Sequence, residues 1–532
     1  MQSIRILDCT LRDGGFINEW NFGIGSIKSI ISRLDKAGID IIEVGFLDKR
    51  READINRTIQ PNTASYQPVF DNLKISNAMI VGMIDFGTCD IEALADKQDT
   101  SIDGIRVIFK KKDAVEALAF CTQVKAKGYK IFVNPVSITG YTDEEMIQLL
   151  GLINLIEPMG VSVVDTYGLL HKKELIHYFG LMDTHLTPGV MIGYHAHNNF
   201  QLAYANSLEL MALDSDRDLI IDGSLYGMGK GAGNTCTELL AGYLNANYGK
   251  HYVIDQLLEA IDVDISKEYA KKYWGYSLMH FMAASNDCHP DYVSTLIKKK
   301  TLSVQAINGL LSKLGPGGKL TFKKDLVESL YQDYQDNAVD DAAAYAGLRD
   351  RLQGRSILLV APGKSIREHG DLLQQFIREK NPMVFTVNFL TEDITPDFVF
   401  MGNAKRYSQF YDSIHHKDMS VGVICTSNIS ELDQAVDFTF NFNALVQENP
   451  LIRDNPALML LRILAKLGLK EVHIAGLDGY TADNTTNYFN EYIQFLYCDD
   501  NVLLRNDAMV EALKTIQEKV ALRFLTPSLY NR

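Results

Sequence analysis

Short runs of β-branched and other apolar residues recur through the first 250 positions, separated by stretches whose apolar residues fall three and four apart. The runs are IRILD (4–8), IDIIEVGF (39–46), AMIVGMI (78–84), GIRVIF (104–109), KIFVNPV (130–136), VSVVDT (161–166), VMIGYHAH (190–197) and DLIIDGS (218–224). Between them, segments such as GSIKSIISRLDKAG and AVEALAFCTQVKAKG combine helical spacing with a glycine where a helix would stop. Parallel strands joined by crossover helices produce this alternation. Eight such units over residues 1–250 match the size and count of a (β/α)8 TIM barrel. A doubly wound open sheet is the competing architecture, but it rarely carries eight even units. Its Gly-x-Gly-x-x-Gly turn after the first strand is also missing, since DCTLRDGG follows instead.

Further along, the periods change. Residues 251–335, with DISKEYAKKYWGYSLMHFMAAS and DYVSTLIKKK, read as a helical appendage closing over the barrel mouth. A polar, Asp- and Ala-rich stretch at 336–354 reads as a linker. Residues 355–532 return to strand runs: SILLVAP (356–362), MVFTVNF (383–389), DFVFMGN (397–403), SVGVICTS (420–427), DFTFNF (437–442) and EVHIAGLDG (471–479). With helices between several of them, they predict a second, Rossmann-like α/β domain. No internal repeat or low-complexity tract is visible.

Composition narrows the function classes. With 46% hydrophobic and 22% charged residues the chain reads as a soluble globular protein. A net charge of -15 argues against a phosphate-backbone binder, so no nucleic-acid partner is expected. The seven cysteines are scattered and include no Cys-x-x-Cys, which fits a reducing cytoplasm rather than a disulfide framework. No apolar signal core opens the chain and no apolar stretch is long enough to span a bilayer, so neither export nor membrane insertion is expected.

Chemistry-bearing residues collect at the predicted strand ends, where barrel enzymes place their active sites. Arg12 and Asp13 follow the first strand, Glu43 lies on the second, Asp165 on the sixth, and His195 and His197 on the seventh. Residues two apart on a strand point the same way, so His195 and His197 can face the barrel axis together. With Asp13 they offer two nitrogens and one oxygen, a set suited to a divalent ion, Mn2+ first, with Mg2+, Co2+ or Zn2+ as alternatives. Asn234, in YGMGKGAGNTCTE, can add an oxygen or orient a ligand. Taken singly each piece has a plainer reading: a hydrogen-bonded core histidine, a turn with Asp13 as helix cap, a glycine-rich loop. Their order on successive strands favours one site.

Residues 1 to about 330 resemble the DRE-TIM metallolyase superfamily through DCTLRDG (8–14), IIEVGF (41–46), VDTYG (164–168), GYHAHNN (193–199) and GMGKGAGNTCTELL (227–240). The likeness is greatest to 4-hydroxy-2-oxovalerate aldolase-like class II pyruvate aldolases, because condensing synthases carry Glu-Arg where this chain has Lys230 and Gly231. The resemblance implies metal ligation by Asp13, His195 and His197 with Asn234 as a further ligand, enolate stabilisation by Arg12, and support of the ligands by Glu43. It implies a lyase that makes or breaks a carbon–carbon bond of a 4-hydroxy-2-oxo acid, giving pyruvate or a similar 2-oxo acid and an aldehyde. A homo-oligomer fits the same likeness. Phe16 departs from the pattern, since those aldolases have a histidine there as general base. Glu19 and His171, near strand-end loops, become candidates for that role, and Tyr276 or Tyr273 for an assisting tyrosine. Two alternatives stay open: Claisen chemistry on an acyl-CoA, and a lapsed barrel acting as a scaffold for the C-terminal domain.

The C-terminal domain is weakly similar to sialyltransferase-like and flagellin-modifying glycosyltransferase folds. ILLVAPGKSIREHG has the order strand, glycine turn, helix, so Gly363, Lys364 and Ser365 are candidates to touch a phosphate, with Asp478 lining the same cleft. A nucleotide-sugar is the implied ligand, and surface polysaccharide synthesis the implied setting.

Overall fold

The computed structural model describes residues 3–531 apart from 320–321, 353, 416–420, 430–435, 482, 484–486 and 494–500. Cys498 lies outside the described residues, and the other six cysteines are free thiols. The chain forms two compact units, Met1–Pro290 with Lys319–Thr321, and Asp291–Gly318 with Phe322–Arg532. The helical residues 251–335 are divided between the two units at Pro290. Among the described residues no helix is long and apolar enough to cross a membrane.

All eight runs of the first unit form strands: β1 Ile4–Asp8, β2 Ile41–Leu47, β3 Met79–Asp85, β4 Gly104–Phe109, β5 Lys130–Pro135, β6 Gly160–Asp165, β7 Met191–Ala196 and β8 Leu219–Gly223. Each pairs in parallel with the next, and β1 pairs with both β2 and β8, which closes the sheet into a barrel. Amphipathic helices cover it; Ile24–Ala37, for example, turns Ile27, Ile30, Ile31 and Leu34 inward and ends at Gly38 in the left-handed conformation. The connection after β2 carries the two-residue strand Ile59–Gln60, the 3-10 turn Ala64–Tyr66 and the short helix Gln67–Phe70, and that after β3 carries 3-10 turns.

Strand periodicity layers the barrel interior. Leu7, Ile41, Val81, Phe132, Met191 and Ile220 pack together as an apolar layer. Further along the same strands, or on β4, inward positions become polar and remain buried: Glu43, Arg106, Asn134, His195 and Asp222. On β2 the register shifts between Glu43 and Phe46. Gly45 sits in that irregularity at φ 146°, where a Cβ would lie 1.7 Å from the Thr58 carbonyl oxygen, so only glycine fits.

The second unit is a parallel sheet of β9 Ile357–Val360, β10 Met383–Val387, β11 Phe398–Met401, β12 Gly422–Thr426, β13 Phe438–Phe440, β14 Glu471–Ala475 and β15 Ala521–Phe524. The spatial order is β13-β12-β11-β10-β9-β14-β15. Ile357 and Leu359 enter one core while Leu358 and Val360 enter another, so both faces of the sheet are covered. The predicted six strands are all present; β15 was not foreseen because Ala521 and Arg523 alternate with its apolar residues and are exposed at the sheet edge.

Candidate active site

At the C-terminal ends of the barrel strands, ligand atoms of Asp13, His195 and His197 all lie within 4.8 Å of one another, and all three residues are buried. The alternation along β7 sets this up: His195 is on the strand, His197 just past it, and their rings stand 5.3 Å apart. Asp13 follows β1 on a tight turn whose backbone amides return to the Cys9 carbonyl. Its Oδ1 accepts from the Arg12 guanidinium at 2.5 Å, and its Oδ2 accepts from the Asn234 side-chain amide at 2.7 Å and the Lys230 amide at 3.1 Å.

A buried ladder of alternating charge fixes these groups. Arg12 bridges Asp13 to Glu43 (2.7 Å), Glu43 faces Arg106 (3.2 Å), Arg106 binds Asp222 (2.6 Å), and Asp222 meets His195 Nδ1 at 3.0 Å. Asp222 accepts the Nδ1–H and so leaves the other ring nitrogen, Nε2, as a lone-pair donor. The sequence reading missed Arg106 and Asp222. Their signal was there: single charges inside the apolar runs GIRVIF and DLIIDGS.

The electrostatics favour a cation. Three carboxylates face two guanidinium groups. Burial opposes ionisation of Asp13, but Arg12, His197, His195 and the Asn234 amide outweigh it and hold the carboxyl well below its usual range. Burial pushes His197 down to about 4 despite Asp13, so its ring is neutral at physiological pH. Burial also opposes the Arg12 charge, yet Glu43 and Asp13 raise it above its ordinary value. His197 Nδ1 and Asn234 Oδ1 are buried with no hydrogen-bond partner among the described residues. Two buried imidazoles and an ionised carboxylate whose ligand atoms lie within reach of one another are donors a divalent ion takes, so the residues present fit one.

Other predicted site residues lie elsewhere around the mouth. Glu19 is exposed, in the left-handed conformation at the end of a short helix, and its carbonyl accepts from Arg57. His171 is exposed before helix Lys172–His185 and stacks on Phe200. Tyr276 is 46% exposed and edges onto Phe281. Phe16 packs against Trp20 and Phe46, with the Lys230 ammonium 5.3 Å above its ring. In the second unit, Asp478 accepts from both the Ser365 amide and hydroxyl. The anion at that helix start is thus the protein's own carboxylate. Gly363 and Asp478 line a cavity there, of about 200 Å³; Lys364 and Ser365 are not among its lining residues.

An HMGL-like family model matches residues 3–263. The 4-hydroxy-2-oxovalerate aldolase of Pelotomaculum thermopropionicum is 27% identical over 269 residues, 49% of this chain and 76% of that protein. The oxaloacetate decarboxylase of Mycobacterium tuberculosis is 24% identical over 243 residues, 45% of this chain and 69% of that one. Among solved structures, the N-terminal domain of a provisionally assigned aldolase from Bacteroides vulgatus aligns at 25% identity and a TM-score of 0.49, covering 57% of this chain and 98% of that domain. Residues 3–263 are an HMGL-like domain, of the DRE-TIM kind that the motifs anticipated.

Proposed function

We propose that the barrel is a divalent-metal-dependent aldolase. It cleaves or forms a carbon–carbon bond of a 4-hydroxy-2-oxo acid, giving pyruvate or a similar 2-oxo acid and an aldehyde. The observation that carries this reading is the convergence of Asp13, His195 and His197 beside the buried Arg12. A divalent cation held there by these three residues, with Asn234 as a further oxygen donor, would supply Lewis acidity toward a 2-oxo acid carbonyl. Manganese is the expected ion, with magnesium, cobalt and zinc as alternatives. Arg12, permanently charged and anchored by Glu43, places a guanidinium where enolate charge develops. Phe16, Trp20 and Phe46 form an apolar wall beside it, which excludes water and suits the aldehyde half of the substrate. Two relatives named for 2-oxo acid chemistry, an aldolase and an oxaloacetate decarboxylase, favour this class.

The test is direct. The full chain with Mn2+ and a 4-hydroxy-2-oxo acid is expected to release pyruvate, measured by coupled reduction to lactate, and to stop on chelation. Thiol release from acetyl-CoA with a 2-oxo acid would instead assign Claisen chemistry. Failure to retain any of the four metals would leave a scaffold.

For the second unit, a nucleotide-sugar ligand is the reading that its cavity favours. The cavity lies between the ends of β9 and β14, where the strand order reverses, the usual ligand position in open parallel sheets. Asn455, Pro456 and Ala457, at the start of helix Pro456–Lys466, line it and favour an anionic group. Titration calorimetry of the full chain with CMP- and UDP-linked sugars checks this; no heat with either removes the proposed link to surface polysaccharide synthesis. A cytoplasmic homo-oligomer is the expected setting.

A further inference from the structure

An aldol cleavage needs a base on the substrate hydroxyl, and position 16 supplies none. Glu19, His171 and Tyr276 are exposed. A fourth group, His280, opens helix Leu278–Ser285 and is half-buried. Ser277 caps this helix by accepting from the His280 amide at 3.2 Å. The His280 ring is fixed on one side only: Nδ1 lies 3.0 Å from Ser277 Oγ and 3.2 Å from the Gly275 carbonyl oxygen. A carbonyl can only accept, so Nδ1 carries the hydrogen and Nε2 holds the lone pair in the neutral ring.

That free nitrogen faces the active-site loop. A Cβ built on Gly231 would lie 3.7 Å from His280 Nε2, so the nitrogen looks onto a residue with no side chain to cover it. Gly231 follows Lys230, whose amide hydrogen-bonds Asp13. The His280 carbonyl also accepts, at 3.5 Å, from Asn199, a buried side chain two residues past His197. Nε2 itself has no hydrogen-bond partner among the described residues. Burial holds the imidazole below its ordinary value, outweighing the Gly275 carbonyl, which keeps the ring neutral.

We infer that His280 is the general base of the barrel reaction, acting through Nε2 on the substrate's 4-hydroxyl; this rests on the aldolase reading above. Nε2 takes the hydroxyl proton and the C3–C4 bond breaks. Its electron pair becomes the C2–C3 bond of the enolate, with charge on the C2 oxygen, and C4 leaves as the aldehyde carbonyl. The imidazolium then gives its proton to C3, yielding the 2-oxo acid and restoring the neutral ring. The Ser277 and Gly275 contacts hold the tautomer that this exchange requires.

His280→Asn tests the assignment, because the asparagine amide keeps a donor near the Nδ1 position and lacks a base; His280→Gln is the second variant should the first fail to fold. Each is assayed for 4-hydroxy-2-oxo acid cleavage, for oxaloacetate decarboxylation, which forms the same enolate without removing a proton from oxygen, and for Mn2+ affinity by calorimetry. The expected result is a fall of about 100-fold or more in cleavage, with decarboxylation and Mn2+ affinity kept. Nitrogen-15 NMR of the wild-type protein is expected to show His280 protonated on Nδ1. Cleavage at the wild-type rate, an equal loss of both reactions, or a hydrogen on Nε2 overturns the role of His280. A wild-type protein that performs neither reaction overturns the aldolase reading instead.

Discussion

At the scale of single residues, the site depends on charges that cannot be removed one at a time. Arg106 lies between Glu43 and Asp222, and Asp222 in turn holds His195. Replacing Arg106 with Met strips the buried Asp222 of its guanidinium and leaves Glu43 with Arg12 alone, and is expected to cost about 3–5 kcal/mol of stability in denaturant melts. A loss below about 1 kcal/mol, the range of exposed pairs, would mean that the ladder is solvated. Asp165 has the opposite disposition. Burial pushes its carboxyl up to about 7 despite amide hydrogen bonds from Leu169, Leu170 and Gly168. The folded state therefore binds a proton that the unfolded state has released. Stability from this group is complete below about pH 4 and is lost as pH rises through about 7, on the order of 4 kcal/mol in all. Carbon-13 NMR of the Asp165 carboxyl is expected to show a midpoint near neutrality; a midpoint below about 5 would contradict the burial argument.

At the scale of elements, the loop after β8 is built around the side chains it touches. A Cβ on Gly229 would lie 2.5 Å from Asn234 Nδ2 and 2.7 Å from Asp13 Oδ2. Gly229→Ala is expected to keep the circular dichroism of the fold and to lower Mn2+ affinity at least about tenfold; unchanged affinity would show that the loop does not position Asp13. Legibility at this scale followed the physics of each segment. The barrel strands were readable because each is buried on both faces and so is a continuous apolar run. His195 and His197 were readable because strand period places them together. Arg106 and Asp222 are only half legible: a lone charge within an apolar strand run marks a buried ionic group, but its partner is named only when the barrel closes. Glu19 and His171 lie near strand ends but are exposed, because position along the chain does not say which way a loop side chain turns. His280 lies outside any motif, and only the fold of residues 266–285 brings it to the glycine loop.

At the scale of the molecule, the chain folds as two units with separate cores. The first unit's core is a closed barrel with a polar layer at one end; the second is a doubly covered open sheet with its cavity where the strand order reverses. The central claim concerns the first. It is tested most directly by transfer of solvent deuterium into the methyl group of pyruvate, followed by proton NMR on the full chain with and without Mn2+. The account predicts exchange that requires the ion and that Asp13→Asn abolishes together with Mn2+ binding. Exchange that proceeds equally after chelation, or no exchange with manganese, magnesium, cobalt or zinc, would contradict it.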